Sequence, residues 1–106
     1  MATAFEVLAE PNRRRILDLL RERERPVGEL VGGLGVSQPA VSKHLRVLRG
    51  AGLVEARVEG QRRVYRLQPE MLREVDRWLA PYRALWSGSL DRLERQLDEM
   101  EEQGGS

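Results

Sequence analysis

The stretch that decides the fold is VSQPAVSKHLRVLRGAGLV, residues 36–54. Ser37 suits a helix N-cap, because its side chain can accept a hydrogen bond from a free backbone N–H of the first turn. Pro39 lies in that turn, where a missing N–H costs nothing. Three apolar side chains share one side of the helix and are expected to face a core: Val41, Leu45 and Leu48. The stretch therefore predicts a helix with one buried side, closed by Gly52.

The opposite side of this helix is polar and lacks carboxylates. Side chains near a helix N-terminus reach base edges in the DNA major groove, where Gln pairs with adenine, Lys donates to guanine and Ser bonds to either. Later arginines are placed for phosphate contact, and the N-terminus adds the positive end of the helix dipole. We therefore predict that this surface binds duplex DNA, and its residues, including the cap serine, are Ser37, Gln38, Pro39, Ser42, Lys43, Arg46 and Arg49.

The charge of the chain is divided between its two ends. Residues 1–68 carry 13 basic and 8 acidic side chains, a net charge of +5, whereas residues 69–106 carry 5 basic and 9 acidic ones, a net charge of −4. The positively charged residues 1–68 are therefore suited to binding a polyanion, whereas the negatively charged residues 69–106 are not.

The segment LVEARVEGQRRVYRLQP, residues 53–69, alternates with period two and predicts a β-hairpin. Gly60-Gln61 as a two-residue loop suits a type II′ turn and pairs residue 54 with 67 and residue 59 with 62. This register gives two opposite-charge pairs on one face, Glu55 with Arg66 and Glu59 with Arg62. The other face is predicted to be apolar and carries Val54, Ala56, Val58, Tyr65 and Leu67.

The same register distinguishes the arginines of the hairpin. Arg62 and Arg66 have acidic partners across the strands, whereas Arg63 opposes Val58 and has none. We therefore expect Arg63, with Gln61 and Arg62 beside it at the tip, to reach a phosphate or the minor groove next to the helix.

Helical periodicity also appears on both sides of this region. AEPNRRRILDLLRERER, residues 9–25, predicts a helix with Pro11 at its first position and an apolar stripe. VGELVGGLG, residues 27–35, predicts a short helix that ends at Gly35. After Pro69 a spacing that averages 3.5 resembles a coiled-coil seam, which Pro81 is expected to kink or split.

These elements predict a mostly helical α+β fold, a winged helix-turn-helix with a two-stranded β-hairpin wing and a long C-terminal helix. Residues 1–68 would form the DNA-binding region, 69–101 the dimerisation helix and 102–106 a disordered tail, all within a single domain. The predicted dimer interface consists of Phe5, Leu72, Val75, Leu79, Tyr82, Trp86, Leu90, Leu93 and Leu97. Trp78, Tyr82 and Trp86 could instead line an effector pocket, although core or interface positions are the favoured interpretation.

SQPAVSKHLRVLRGAGLVEARVEGQRRVYRL, residues 37–67, with AEPNRRRILDLL upstream, resembles the ArsR/SmtB winged helix-turn-helix repressors. The resemblance implies a homodimer that binds operator DNA and releases it on sensing a signal, with base contacts at Gln38, Ser42 and Lys43. Many members of that family carry serine where this chain has Pro39, so a hydroxyl contact is lost there. Two-fold symmetry implies an inverted-repeat operator.

The residue content argues against metal sensing and catalysis. The chain has no cysteine and a single histidine, His44, which lies beside the apolar stripe and is expected to be packed or hydrogen-bonded rather than to read a base. We predict no metal, no cofactor and no enzymatic activity, and the C-terminal segment resembles the branch of the family without a metal-sensing signature. No apolar run approaches the roughly 20 residues of a membrane span, so a cytoplasmic regulator is expected.

Two alternatives remain open at this point. A winged helix can also serve as a protein-interaction module, which predicts no DNA binding and a non-self partner on the C-terminal seam. A small-molecule-sensing regulator would use the aromatic C-terminal region.

Overall fold

The computed structural model describes the backbone of residues 3–104 and the side chains of residues 3–87 and 95–100. The chain forms two compact units, Met1–Val75 and Asp76–Ser106, and the division falls within the last helix. The elements in chain order are α1 Ala4–Leu8, α2 Pro11–Glu22, β1 Arg25–Pro26, α3 Val27–Leu34, α4 Gln38–Gly50, β2 Val54–Glu59, β3 Arg62–Leu67, a 3₁₀ turn Pro69–Met71 and α5 Leu72–Gly104. The predicted winged helix-turn-helix is confirmed, and two short elements are added to it.

The first added element is α1, which the apolar periodicity did not indicate. The Thr3 side chain caps it by accepting a hydrogen bond from the Glu6 backbone N–H at 3.2 Å, and Ala4 and Val7 are buried. The only sequence signal is a threonine followed three residues later by a glutamate, a pattern of the capping-box type.

The second added element is β1, so the predicted two-stranded wing is part of a three-stranded antiparallel sheet with the order β1-β3-β2. Arg25 pairs with Tyr65, and Pro26 pairs with Val64. A proline lacks the N–H that a central strand needs, but an edge strand tolerates it. This proline therefore gave no strand signal in the sequence.

The hairpin register is the one that the sequence predicts, from Val54 opposite Leu67 to Glu59 opposite Arg62. Gly60 has φ of 64°, and among residues 3–104 positive φ occurs only at glycines, which fits a turn with glycine at its first loop position.

The predicted apolar face of the hairpin is wrong at one position, Val58, which is not buried. One buried residue of the hairpin, Val64, lies on the other face and was not predicted. Val58 is 73% exposed, because it pairs with Arg63 next to the turn, where the hairpin extends beyond the core. Val64, on the other face, is 5% exposed, since it lies in the central strand between Pro26 and Arg57.

The core of the first unit is one apolar cluster to which α1 to α4 and the sheet all contribute. Its members are Val7, Ile16, Leu17, Leu20, Leu30, Leu34, Val41, Leu45, Leu48, Leu53, Val54 and Tyr65. The three apolar residues predicted for the buried side of α4 are all in this set.

The last helix, α5, is assigned as one helix from Leu72 to Gly104 with Pro81 inside it. It is therefore not split at the proline, and it includes residues 102–104 of the predicted disordered tail; residues 105–106 lie outside the described part of the chain. Within that part, no helix combines the length and the apolarity needed to cross a bilayer.

Candidate nucleic-acid interface

Both ends of α4 are closed by the groups that its sequence provides. At the N-terminus the Ser37 Oγ accepts a hydrogen bond from the Ala40 backbone N–H at 3.3 Å. At the C-terminus the Gly52 N–H donates to Arg49 O and the Leu53 N–H donates to Leu48 O, both at 3.0 Å. This is the Schellman arrangement, and Gly52 supplies the left-handed residue with φ of 76°. The polar side of the helix thus has a fixed length and direction.

The residues of α4 that are predicted to contact DNA lie on its solvent-facing side. Lys43, Arg46 and Arg49 are exposed, as are the three residues at the N-terminal end, while Ser42 is half-buried. α4 contains no Asp or Glu. Within the described part of the chain, these three cations form no ion pair with another side chain. Their charges are therefore available to an anion.

The structure brings the outer side of α4 and the tip of the wing together around one cleft of about 440 Å³. Six of its lining residues were predicted as DNA contacts: Ser42, Arg46, Arg49, Gln61, Arg62 and Arg63. The cleft contains four guanidinium groups and no carboxylate among its lining residues. The remaining four predicted residues lie outside the cleft: Ser37 is the N-cap of α4, and Gln38, Pro39 and Lys43 lie on the helix.

Three apolar or aromatic residues complete the cleft, namely Val27, Leu45 and Tyr65. The sequence assigned the last two to the core, and Leu45 is 1% and Tyr65 9% exposed. No sequence signal marks them as part of a site, because periodicity identifies a buried side but not the edge at which it meets a cleft.

The two adjacent arginines at the wing tip differ in their ion pairing, as the register predicts. Arg62 Nη2 lies 3.3 Å from Glu59 Oε1, whereas Arg63 has no ion-pair partner in the described part of the chain. Hydrogen bonds from Arg57 first and then from Arg62 lower the pKa of Glu59, so this carboxylate stays ionised and offsets the charge of Arg62. The predicted pair between Arg66 and Glu55 is also present.

His44 is hydrogen-bonded and mostly buried, as its position beside the apolar stripe predicts. The Arg13 Nε donates to His44 Nδ1 at 3.3 Å, so a neutral ring carries its proton on Nε2, which lies 3.7 Å from Glu10 Oε2. Glu10 also caps α2 by accepting a hydrogen bond from the Arg13 backbone N–H at 3.1 Å. Arg13 further donates to the Val7 carbonyl at 3.4 Å, so its side chain joins α1, α2 and α4.

The predicted dimer-interface residues differ in exposure. Leu72 packs against the core of the first unit, and Val75 and Leu79 are half-buried. The exposed positions are Phe5 at 40%, Tyr82 at 45%, Trp86 at 45% and Leu97 at 52%. The side chains of Leu90 and Leu93 lie outside the described residues.

Two of the three aromatic residues that could line an effector pocket, Trp78 and Tyr82, lie close together on α5. The rings of Trp78 and Tyr82 are 5.0 Å apart and tilted by 40°. In the described part of the chain, no group of three or more His, Asp or Glu side chains is placed to hold a metal ion.

Comparison with known proteins gives a consistent result. Residues 10–56 match the family described as bacterial regulatory protein, arsR family. The chain is 30% identical over 79 residues to the transcriptional repressor SdpR of Bacillus subtilis strain 168, which covers 74% of the chain and 88% of that protein. It is 50% identical over 66 residues to the HTH-type transcriptional regulator Rv2034 of Mycobacterium tuberculosis H37Rv. This match covers 62% of the chain and 62% of Rv2034, so the chain spans less than two thirds of that relative's length.

A solved structure of a possible transcriptional regulator for arsenical resistance has a similar fold. It aligns with a TM-score of 0.65 and 43% sequence identity, covering 86% of this chain and 92% of that one. The similarity therefore includes the fold as well as the sequence.

Arg13 offers a test of how α4 is held. We expect Arg13→Ala to lower the free energy of unfolding by about 1–3 kcal/mol, because the hydrogen bonds to His44 and to the Val7 carbonyl are lost in a partly buried place. Arg14→Ala is the matched control, since the side-chain bonds of Arg14 in the described part of the chain go to the carbonyls of Leu8 and Ala9 and are exposed. Urea unfolding followed by circular dichroism measures both, and equal losses for the two variants would contradict the assigned role of Arg13.

Proposed function

Because this chain belongs to the arsR family of bacterial regulatory proteins, we propose that it is a DNA-binding transcriptional repressor that acts as a homodimer on an inverted-repeat operator. The observation that carries the proposal is the cleft between α4 and the wing. An acid-free helix surface and Arg63 at the wing tip, which has no ion-pair partner among the described side chains, flank it, and all its lining cations are arginines. Such a surface is complementary to the phosphates and base edges of duplex DNA.

In this proposal each subunit inserts the helix from Ser37 to about Ala51 into a major groove. Gln38, Ser42 and Lys43 lie in the first half of the helix, from which side chains reach base edges. Pro39 is exposed beside them and offers van der Waals contact instead of a hydrogen bond. The Ser37 side chain caps the helix, whose N-terminus attracts a phosphate.

The arginines supply affinity rather than sequence choice. Arg46 and Arg49 lie in the second half of α4, closer to where the helix leaves the groove, and Arg63 with Gln61 lies across the cleft on the wing. Guanidinium groups bind phosphate in a bidentate way. The wing is thus proposed to grip the backbone or the minor groove next to the segment that α4 reads.

A second copy of the chain is the proposed partner of the exposed apolar positions. Tyr82, Trp86 and Leu97 on α5, and Phe5 on α1, each expose at least 40% of their surface. Large exposed apolar residues of this kind are typical of protein interfaces. A two-fold axis between the copies makes their two α4 helices face related half-sites.

We infer repression from the relatives, since SdpR is a transcriptional repressor. We propose that the protein acts in the cytoplasm, because bacterial promoters lie there. A protein bound across a promoter excludes polymerase, which requires no catalytic residue. Relatives identified by family and fold are regulators and not enzymes.

Selection from random DNA tests the proposal most directly. The protein is expected to enrich an inverted repeat with half-sites centred about 10 base pairs, or a multiple of that, apart, and to bind it as two chains per site in sedimentation. Enrichment of a single half-site without symmetry would contradict the dimer. Failure to enrich any sequence, together with a non-self partner on α5, would favour a protein-interaction module instead.

The salt dependence measures how many phosphates are neutralised. If each subunit contacts about four phosphates, the slope of log affinity against log salt for the dimer is expected to be about −7. Fluorescence anisotropy on the selected operator between low and moderate salt gives this slope. A slope near zero would mean that the basic surface does not meet the backbone.

The two arginines at the wing tip give a paired test of register and charge. Arg63→Ala is expected to reduce the magnitude of the dimer slope by about 2, one phosphate in each subunit, and to weaken binding to all sequences similarly. Arg62→Ala is expected to change the slope less, because Glu59 offsets its charge. If the two slopes respond equally, the ion pairing at the wing tip does not decide which arginine meets DNA.

A further inference from the structure

A chain of ion pairs runs from the segment before β1 to the tip of the wing. The Arg57 Nη1 pairs with Glu24, and its Nη2 lies 3.1 Å from Glu59 Oε2. The other oxygen of Glu59 then pairs with Arg62 Nη2 at 3.3 Å. One guanidinium thus bridges two carboxylates that lie in different parts of the first unit.

Arg57 and Glu24, at one end of this ion-pair network, lie away from the proposed DNA-binding surface, whereas Arg62 at its other end lines the cleft. Strand alternation puts Arg57 on the face opposite to Arg63, and Arg57 pairs with Val64. Neither Arg57 nor Glu24 lines the cleft. A direct contact with the DNA that fills the cleft is therefore not the role of either side chain.

The tip of the wing has few attachments. All residues from 57 to 63 are exposed, and the backbone pairing of β1 with β3 is assigned at Val64 and Tyr65, nearer the core. In the described part of the chain, the Arg57–Glu24 pair is the only ion pair that joins residues 57–63 to an element outside the hairpin. The position of the tip therefore depends on this pair more than on packing.

The electrostatics of the pair agree with its geometry. The hydrogen bonds that Arg57 donates to Glu24, the larger cause, and to Glu59 raise the pKa of Arg57. The charge of Arg62 also contributes to the lowered pKa of Glu29 on α3, although Arg23 is the main cause. The outer face of the wing thus carries arginines that pair with carboxylates, whereas Arg63 on the inner face has no ion-pair partner in the described part of the chain.

We propose that Arg57, bridging Glu24 and Glu59, is a positioning residue that holds the wing where Arg63 can meet the DNA backbone beside α4. The proposal rests on the proposed function for its DNA readout. Arg57 acts on binding through the wing and not by its own charge, so its effect can be separated from that of the DNA-contacting arginines.

The sign of a charge change distinguishes positioning from simple electrostatics. Glu24→Gln removes a negative charge, which strengthens the attraction to DNA if charge alone matters. If Glu24 holds the wing, the same variant weakens binding. Arg57→Lys keeps the charge but replaces a planar fork with a single ammonium group that cannot bridge two carboxylates in the same way.

Glu55→Gln is the matched control. Glu55 lies on the same hairpin, and its side chain is 39% exposed compared with 41% for Glu24. Its ion-pair partner is Arg66, within the hairpin, and it accepts a hydrogen bond from Gln68. This variant removes the same charge without releasing the wing from the segment before β1.

The experiment measures operator affinity, thermal midpoint and ¹⁵N order parameters for the wild type and the three variants. Glu24→Gln and Arg57→Lys are each expected to bind the selected operator about three- to tenfold more weakly, the scale of an exposed ion pair lost in both subunits. Their thermal midpoints should fall by only a few degrees, because an exposed ion pair contributes little to the stability of the fold. The order parameters of Gly60 and Gln61 should fall from about 0.85 towards 0.6, whereas Glu55→Gln should bind as tightly as the wild type or more tightly.

Three results would overturn the proposal. One is tighter or equal binding by Glu24→Gln with unchanged order at the wing tip, and another is full affinity in Arg57→Lys. The third is a fall in thermal midpoint of more than about 10 °C, which would mean that the variant disturbs the fold of the first unit and not only the position of the wing. If the wild-type protein binds no DNA, the proposed function fails, but the order parameters still decide whether this ion pair holds the wing.

Discussion

The burial of one side of α4 is the constraint on which the candidate interface depends. Val41, Leu45 and Leu48 are each at most 1% exposed within a core to which α1 to α4 and the sheet contribute. Burying each such side chain stabilises the fold by roughly 1.5–3 kcal/mol, so the helix cannot rotate about its axis without a large loss. Lys43 and Arg46 are therefore held outward because their neighbours are held inward. The hydrophobic contact fixes which charges reach solvent.

Charge pairing within the wing determines which of its cations remain available. Arg57, Arg62 and Arg66 are all paired with carboxylates of the same unit. Arg63, between two of these positions in the sequence, projects from the other face of the strand and lines the cleft with no ion-pair partner in the described part of the chain. A count of arginines would overestimate the positive charge that this wing can offer to an anion. Because side chains alternate between the two faces of a strand, the paired arginines lie on one face and Arg63 lies on the other.

His44 illustrates how a residue on the reading helix is used for structure. It faces Arg13 and Glu10 at the N-terminal end of α2, so it holds α4 against α2. Glu10 caps α2 with the same carboxylate that faces the histidine. Helix capping and helix packing therefore share one small polar cluster, which explains why a titratable side chain lies so close to an apolar stripe.

Local patterns in the sequence predicted α2, α3, α4 and the hairpin register, because caps, turn residues and periodicity act over a few neighbouring residues. Cross-strand charge pairs even distinguished Arg62 from Arg63. The same reasoning failed where pairing between distant segments determines the secondary structure. Strand β1 forms because β3 offers a free edge, and the proline of β1 gave no strand signal in the sequence. Val58 was misplaced, since alternation along a strand does not say where the core ends.

The sequence by itself thus determined α2, α3 and α4, the turn, the register and the set of cations without acidic neighbours on α4. Only the tertiary structure decided that the side of α4 and the tip of the wing flank one cleft, that Tyr65 contributes to it, and that Arg57 reaches back to Glu24. The physical reason is sequence separation. Arg57 and Glu24 are 33 positions apart, and no local propensity records a contact that exists only after the core has brought the two segments together.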